Sequence, residues 1–281
     1  MERIGKYQIV TQTHITKFSD IYVCRDPLLG DNVCIKLFKP KNTVLRSPLV
    51  TADEWRKRFE QEARILARMD HPHVVSIREY AETEGGVPYI VMPYYPATLK
   101  TEIGKDTDDP ATHRRLPPKR RARAVPWRRA TAIWRQVLDA LAALHGAGFV
   151  HRDMKPGNVL LTAKRNGTVK ICDFGTAKAP DPEPVSRGRW FGTQEYTAPE
   201  QKKDTASVDP RADLFSAGVM AYRMLSGKLP GDDPRPTGEL VPAAPSDLTS
   251  LVDQCRAPDL ADRPESAVRV LEEIERAVAP M

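Results

Sequence analysis

The stretch His151-Arg-Asp-Met-Lys-Pro-Gly-Asn158 and the tripeptide Asp173-Phe-Gly175 that follows it decide how this sequence is interpreted. Between them lies Asn166-Gly167, a dipeptide that strongly favours a two-residue β-turn. The runs on either side of it, Val159–Thr162 and Thr168–Cys172, contain the β-branched residues that are typical of short strands. The sequence therefore predicts a tight hairpin with Asn158 at one end and Asp173 at the other.

The polar side chains around this hairpin are those that phosphoryl transfer requires. That reaction needs metal ions on the phosphates, an oriented hydroxyl group and neutralised charge. Asn158 and Asp173 offer the oxygen ligands that Mg²⁺ (or Mn²⁺) prefers. Asp153 can accept the proton of a hydroxyl group, and Lys155 can neutralise charge on the transferred group. We therefore expect metal-dependent phosphoryl transfer.

The chain is strand-rich before Pro96 and mainly helical after it. Runs of β-branched and aromatic residues predict strands at Tyr7–Thr13, Ile21–Arg25, Val33–Phe38, Val74–Tyr80 and Tyr89–Tyr94. Apolar residues at three- to four-residue spacing predict helices at Trp127–His145, Asp213–Ser226, Asp247–Cys255 and Glu265–Val278. The sequence therefore predicts an α+β fold with a small strand-rich part and a larger helical part.

One helix is predicted to interrupt the strands, and it carries a carboxylate on its apolar face. Thr51-Ala-Asp-Glu54 has the pattern of a capping box. The helical stripe that follows consists of Trp55, Phe59, Glu62, Leu66 and Met69. A carboxylate that faces the core is costly unless it meets a cation. We therefore expect Glu62 to have a buried basic partner.

Length and composition exclude several classes of protein. The chain has 281 residues, of which 41% are hydrophobic and 28% charged, which is typical of a globular domain. No apolar run reaches the roughly 18–20 residues of a membrane span, and the first residues lack the apolar core of a secretory signal. The four cysteines show no metal-binding spacing. We therefore expect a cytoplasmic protein without a membrane partner.

The net charge of +6 comes from one segment, 112–129, which has eight basic residues and no acidic one. One interpretation is a solvated, mobile loop. The other is a docking site for an acidic partner, either a protein or a nucleic acid. Aromatic residues that would stack on bases are not interleaved with these cations, so nucleic acid is not the expected partner.

Taken together, the motifs resemble those of the protein kinase superfamily, in particular the catalytic domain of bacterial eukaryotic-like serine/threonine protein kinases. The resemblance rests on His151-Arg-Asp with Asn158, Asp173-Phe-Gly175 and Ala198-Pro-Glu200, in this order. It implies a bilobal protein kinase fold, with a small antiparallel β-rich N-lobe at 1–93 and a mainly helical C-lobe at 94–281. It also implies transfer of the γ-phosphate of ATP to Ser/Thr hydroxyls of protein substrates, with autophosphorylation.

The resemblance assigns roles to residues of the N-lobe. Lys36, in Val33-Cys-Ile-Lys36, matches the lysine that contacts nucleotide phosphates, and Glu62 matches its ion-pair partner. In Tyr89-Ile-Val-Met-Pro-Tyr-Tyr95, Met92 matches the gatekeeper of the hinge. The Pro93 carbonyl and the Tyr95 N–H would then bind adenine, and proline keeps the required carbonyl.

Further matches lie in the C-lobe. Asp213 resembles the aspartate that braces the catalytic loop, and Arg263 resembles the arginine that pairs with Glu200. Lys155 and Thr193 point to the serine/threonine subclass. The family has a short link between two helices at this point. The resemblance therefore implies an insertion at about 104–126 in this chain, which contains most of the eight basic residues of 112–129.

The phosphate-covering loop departs from the family. His14, Thr16 and Ser19 stand where the pattern has glycines that let the backbone approach phosphate. In one interpretation the side chains of His14, Thr16 or Lys17 replace backbone amides as phosphate donors. In a second, the loop is stiffened and binds nucleotide weakly. In a third, the protein is a pseudokinase that acts as a scaffold.

Regulation and docking also differ from the family pattern. The region after Gly227 is proline-rich, and the helix that usually lies there is expected to be shortened or missing. Ser186, flanked by Arg187 and Arg189, is the candidate phosphorylation site, with Arg152 as its partner.

Overall fold

The computed structural model of the protein describes residues 2–16, 18–41, 51–106, 114–163, 166–180, 195–204, 208–231 and 235–279. These residues divide into two compact units. Those up to Tyr95 form the first unit, and those from Pro96 onward form the second. No helix within these ranges is long and apolar enough to cross a membrane.

The first unit contains one antiparallel sheet of six strands in the order β1-β2-β3-β4-β6-β5. The strands are β1 (Arg3–Ile4), β2 (Tyr7–Ile15), β3 (Ser19–Arg25), β4 (Asn32–Phe38), β5 (Glu79–Glu82) and β6 (Pro88–Pro93). The central strand β4 is buried along most of its length because β3 and β6 flank it. Lys36 on β4 lies opposite Ile21 and Ile90, so a cation is placed at the centre of an apolar sheet.

One predicted strand was wrong in its position. The expected strand Val74–Tyr80 is instead β5, which begins at Glu79 and ends at Glu82. Val74 and Val75 are both buried, whereas consecutive side chains in a strand point to opposite faces. The burial of both valines is therefore achieved by irregular backbone after the helix, and the alternating pattern begins only with β5.

The predicted helix forms as α1, Ala52–Arg68. The Thr51 hydroxyl accepts a hydrogen bond from the Glu54 N–H, and the Glu54 carboxylate accepts one from the Thr51 N–H, which completes the predicted capping box. Trp55, Phe59 and Glu62 on the apolar stripe are buried. The cap therefore fixes where α1 begins, and the spacing of Glu62 from Trp55 and Phe59 places all three on the same face.

The second unit has a small sheet and seven helices within the described ranges. The strands β7 (Ala97–Thr98), β8 (Val159–Leu161) and β9 (Val169–Ile171) pair in that order. The helices are α2 (Leu99–Ile103), α3 (Trp127–Gly146), α4 (Pro199–Lys203), α5 (Arg211–Ser226), α6 (Thr237–Leu240), α7 (Ser246–Cys255) and α8 (Ala267–Val278). The β8–β9 hairpin and all four predicted helices of this part are present.

Helix ends in the second unit follow local capping rules. α8 begins two residues later than predicted because the Ser266 hydroxyl accepts a hydrogen bond from the Arg269 N–H and acts as its N-cap. α5 ends at Gly227, which has a φ of 74°, the left-handed conformation that favours glycine at this position. Beyond it, the short α6 has four residues, in agreement with the shortened region predicted there.

The cap of α1 can be tested by substitution. We expect Thr51→Ala to lower the free energy of unfolding by about 1 kcal/mol, because the first turn of α1 loses its side-chain acceptor. Urea denaturation measures the change. Thr51→Ser keeps the hydroxyl and is the matched control. An unchanged midpoint in Thr51→Ala would contradict the role of this cap.

Candidate active site

A buried ion pair lies at the centre of the first unit. The Lys36 Nζ, on β4, donates to both carboxylate oxygens of Glu62, on α1, at 2.7 Å each. The Lys36 side chain is 11% exposed and that of Glu62 is 2% exposed. Two buried charges are tolerated only when each satisfies the other. The structure thus gives Glu62 the basic partner that its place in the helical pattern requires.

The segment predicted to contact adenine lies at the end of β6. Met92 is buried, Pro93 ends the strand opposite Val33, and Tyr95 is half-buried. Burial raises the pKa of Tyr95, which keeps its hydroxyl protonated. Pro93 retains its carbonyl group and Tyr95 retains its N–H, so this backbone still carries the donor and the acceptor that the resemblance assigns to it.

The glycine-free loop between β2 and β3 is closed by a threonine side chain. The Thr16 hydroxyl donates to the Ser19 carbonyl at 2.8 Å and accepts from the N–H groups of Phe18 and Ser19 at 3.2 and 2.9 Å. The Thr16 N–H also donates to the Ser19 carbonyl at 2.9 Å. His14 is exposed on β2, and Lys17 lies outside the described residues. The turn at Thr16 and Ser19 is therefore fixed by its own hydrogen bonds.

The same loop is anchored to α1 through its aromatic residue. The Phe18 and Trp55 rings stack with centroids 4.0 Å apart, and the Phe18 carbonyl accepts a hydrogen bond from the Lys39 N–H. Glycine allows such a loop to bend freely, whereas Thr16 and the stacked Phe18 restrain it. This geometry favours the interpretation of a stiffened loop over that of a loop whose Thr16 hydroxyl binds phosphate.

The hydroxyl of Thr16 can be removed while the side-chain shape is kept. In Thr16→Val we expect faster amide hydrogen exchange at Phe18 and Ser19, because both lose their acceptor, and a loss of about 1 kcal/mol in stability. Thr16→Ser preserves the acceptor and is the matched control. Exchange rates that do not change in Thr16→Val would show that the hydroxyl does not hold the loop.

In the second unit, the side chains of Lys155 and Asn158 converge on Asp153, within residues 151–158, the predicted catalytic segment. The Lys155 Nζ donates to the Asp153 carboxylate at 2.6 Å, and the Asn158 amide donates to the same oxygen at 3.1 Å and to the Asp153 carbonyl at 2.8 Å. Burial raises the pKa of Asp153, Lys155 opposes this, and the Asp173 carboxylate adds to the rise. The carboxylate is therefore held in a fixed orientation beside a cation.

The β8–β9 hairpin positions the two predicted metal ligands. Asn158 ends a short 3-10 turn, Pro156–Asn158, that leads into β8, and Asp173 follows β9. The Cys172 N–H donates to the Asn158 carbonyl at 3.0 Å and ties the two ends together. Because the Asn158 amide nitrogen is used by Asp153, its oxygen is the atom left for a metal ion. One amide and one carboxylate oxygen suit Mg²⁺, which takes its other ligands from phosphates and water.

A fully buried carboxylate holds the backbone of the catalytic segment. Asp213, on α5, accepts hydrogen bonds from the N–H groups of His151 at 2.7 Å and Arg152 at 2.8 Å, and lies 2.9 Å from the His145 Nε2. Arg152 has a φ of 66°, which costs energy in a residue with a side chain. Asp213 thus fixes a strained backbone next to Asp153. The contact from His145 had no signal in the sequence.

Opposing effects set the charge state of Asp213. Burial alone would raise its pKa, but the hydrogen bond and charge of His145, together with the charge and N–H of His151, outweigh burial and hold the pKa below the ordinary value. An aspartate whose pKa is lowered on folding stabilises the folded state above its unfolded pKa of about 3.9, and this contribution is lost as the pH falls through the lowered pKa.

Substitution of Asp213 tests this brace. We expect Asp213→Asn to lower the free energy of unfolding by about 3–5 kcal/mol at neutral pH, because the buried partners lose their charged acceptor. Below pH 4 the difference from the wild-type protein should shrink, since Asp213 of the unfolded wild-type protein becomes protonated there, and the folded protein follows at its lowered pKa. Denaturant unfolding from pH 3 to 7 measures both effects. Asp247→Asn, at the first turn of α7, is the control, and a pH-independent difference would contradict this account.

Two further sets of contacts fix α4, through Glu200, and the segment that precedes it, through Tyr196. Arg263 forms a two-fold hydrogen-bonded pair with the Glu200 carboxylate at 2.7 and 2.8 Å, as the resemblance implies. The Tyr196 hydroxyl donates to Asp106 at 2.8 Å, and Arg223 donates to the same carboxylate at 2.7 Å. Burial raises the pKa of Tyr196, and the negative charge of Asp106 adds to the rise. The tyrosine hydroxyl therefore stays protonated and remains a hydrogen-bond donor. No local pattern indicates that Asp106 belongs here, since its partners Tyr196 and Arg223 lie far along the chain.

The basic insertion is partly built into the second unit. Arg121 donates to the carbonyls of Arg114 and Leu116, Arg123 to those of Lys119 and Arg121, and Arg129 binds Glu102. In the basic segment 112–129, five described basic residues remain exposed: Arg114, Arg115, Lys119, Arg120 and Arg128. The described part of the insertion is therefore held by its own arginines. Residues 107–113, like Ser186 and Thr193, lie outside the described residues.

These features define a class of protein. The first unit has a buried Lys–Glu pair. The second unit has the contacts of Lys155 and Asn158 on Asp153, a hairpin with the two predicted metal ligands at its ends, and a buried aspartate that braces the backbone. These features are typical of protein kinases. Residues 15–271 match the family model of the protein kinase domain, and the chain belongs to this family. The family and the α+β kinase fold expected from the sequence are thereby confirmed. Members of this family use ATP and a divalent metal ion.

Named relatives and a solved structure agree with this assignment. The chain is 33% identical to serine/threonine-protein kinase pkn2 of Myxococcus xanthus over 94% of its own length and 31% of that protein. It is 34% identical to serine/threonine-protein kinase PknA of Mycobacterium tuberculosis, over 80% of this chain and 48% of that one. The chain thus spans 31% and 48% of the length of these two relatives. The kinase domain of Mycobacterium tuberculosis PknI shares its fold, with a TM-score of 0.67, 24% identity and 98% of both chains covered.

Proposed function

We propose that this chain is a serine/threonine protein kinase that transfers the γ-phosphate of ATP to Ser/Thr hydroxyls of protein substrates and of itself. The observation that carries this proposal is the catalytic segment, in which Lys155 and Asn158 both contact the carboxylate of Asp153. A fixed, partly buried carboxylate beside a cation suits a base that accepts the proton of an attacking hydroxyl group.

The first lobe, 1–93, is proposed to bind the nucleotide. Lys36, oriented by Glu62, contacts the phosphates. The backbone at Pro93 and Tyr95 binds adenine, beside Met92. The glycine-free loop, with His14, Thr16, Lys17 and Ser19, covers the phosphates and restrains their approach.

The second lobe, 94–281, is proposed to carry out the chemistry. The hydroxyl oxygen of the substrate forms a bond to the γ-phosphorus, the bond from this phosphorus to the bridging oxygen breaks, and ADP leaves. Asp153 accepts the hydroxyl proton, and Lys155 neutralises charge on the transferred group. Asn158 and Asp173 would hold Mg²⁺ or Mn²⁺, which supplies positive charge for the phosphate oxygens.

A second candidate is a kinase-like scaffold with little or no catalysis. The closed turn at Thr16 supports it, since a restrained loop binds nucleotide less well. In this case the exposed cations of the basic segment 112–129 would dock an acidic protein. The pair formed by Lys36 and Glu62 and the catalytic segment are both intact, which favours the active enzyme. In either case the four free thiols suit a reducing compartment, and we propose a cytoplasmic location.

Transfer of labelled γ-phosphate from ATP, with Mg²⁺ or Mn²⁺, distinguishes the two candidates. We expect incorporation by the wild-type protein and a loss of about 10²- to 10⁴-fold in Asp153→Asn, because the base is removed. Asp31→Asn, an exposed aspartate in the turn before β4, is the matched control and should retain full activity.

Two results would overturn the proposal. Equal incorporation in Asp153→Asn and wild type would exclude Asp153 as the base. No incorporation with either metal ion, by a protein that still binds ATP in calorimetry, would establish the scaffold.

A further inference from the structure

A lysine from α2 lies against the catalytic segment. Gly157 stands between Lys155 and Asn158, the two residues that contact Asp153. A β-carbon built on Gly157 would lie 3.2 Å from the Nζ and 3.4 Å from the Cε of Lys100. The space that a side chain at position 157 would occupy is therefore filled by the ammonium end of Lys100, which is itself an exposed residue.

The described carboxylates that follow Lys100 in the chain, and the carboxylate of Asp153, are committed to other cations. Glu102 accepts hydrogen bonds from Arg129 at 2.6 and 3.1 Å. Asp106 is held by Arg223, and Asp153 by Lys155. Within the described ranges Lys100 has no ion pair. Its charge is therefore available to a group that is brought to this surface.

Other charges on this part of the chain reinforce the effect. Lys105, one turn further along, is exposed and likewise has no carboxylate partner among the residues that the structure covers. The five exposed cations of the basic segment follow. Among the described residues from 100 to 129, the charges that have no partner of opposite sign are therefore positive, and such charges attract acidic groups and repel basic ones.

We propose that Lys100 is a specificity-determining residue that selects substrates with Asp or Glu close to the acceptor Ser/Thr. This rests on the proposed kinase function. When the acceptor hydroxyl reaches Asp153, neighbouring residues of the substrate lie over the backbone at Gly157. Successive residues of an extended peptide are about 3.3–3.6 Å apart, so an acidic side chain one to three residues from the acceptor can reach the Lys100 ammonium.

A peptide library with a fixed Ser or Thr and one varied position at a time tests this proposal. With the wild-type protein, we expect Asp and Glu to be favoured about three- to fivefold over Gln at one position near the acceptor, as for an exposed ion pair. Lys100→Arg should keep this preference, Lys100→Ala should abolish it, and Lys100→Glu should reverse it in favour of Lys and Arg. Lys228→Ala, an exposed lysine of the same unit, should leave it unchanged.

The readout is a ratio of rates, which a general loss of stability does not alter. A wild-type protein that phosphorylates the library without acidic preference would overturn the role of Lys100 and leave the proposed kinase function intact. So would an acidic preference that persists in Lys100→Ala. A wild-type protein that phosphorylates no peptide and not itself, with either metal ion, would overturn both.

Discussion

The buried carboxylate of Asp213 is the constraint on which the second unit depends. It binds the backbone N–H groups of His151 and Arg152 and so holds Arg152 in a left-handed conformation that would otherwise be costly. The direction in which the next residue, Asp153, presents its carboxylate follows from this. The catalytic segment has an irregular backbone, but its conformation is fixed because Asp213, which binds it, lies on α5 in the core.

Other buried charges of the site are likewise placed against an opposite charge or a hydrogen-bonding group. Lys36 and Glu62 satisfy each other in the first unit, and Arg263 and Glu200 do so in the second. Such pairs contribute less to stability than to a unique arrangement, since desolvation offsets much of their attraction. Lys100 differs from these residues because it is exposed. It lies at the surface of the catalytic segment without a carboxylate partner in the described ranges, which is why a role in recognition is assigned to it.

The departures from the family pattern have structural compensations. Where glycines would give a mobile loop, the Thr16 hydroxyl closes a turn, and Phe18 stacks on Trp55. In the basic insertion, Arg121 and Arg123 bind backbone carbonyls of their own segment and hold it in shape. Gly104, with a φ of 80°, allows the close approach of the backbone at Arg121. The described residues of both regions are therefore held by internal hydrogen bonds as well as by the elements that flank them.

The sequence by itself determined the kinase family and the positions of most helices and strands, and it predicted the central site residues. It could do so because capping boxes, hydrophobic periodicity, the Asn-Gly turn and the motif around Asp153 are local and depend on residues close together in the chain. Glu62 was found in this way, as a carboxylate on an apolar stripe. What only the tertiary structure decided are contacts between distant residues: His145 on Asp213, Asp106 between Tyr196 and Arg223, and Lys100 over Gly157. A single polar residue carries no local signal of its partner, because that partner is chosen by the packing of whole elements.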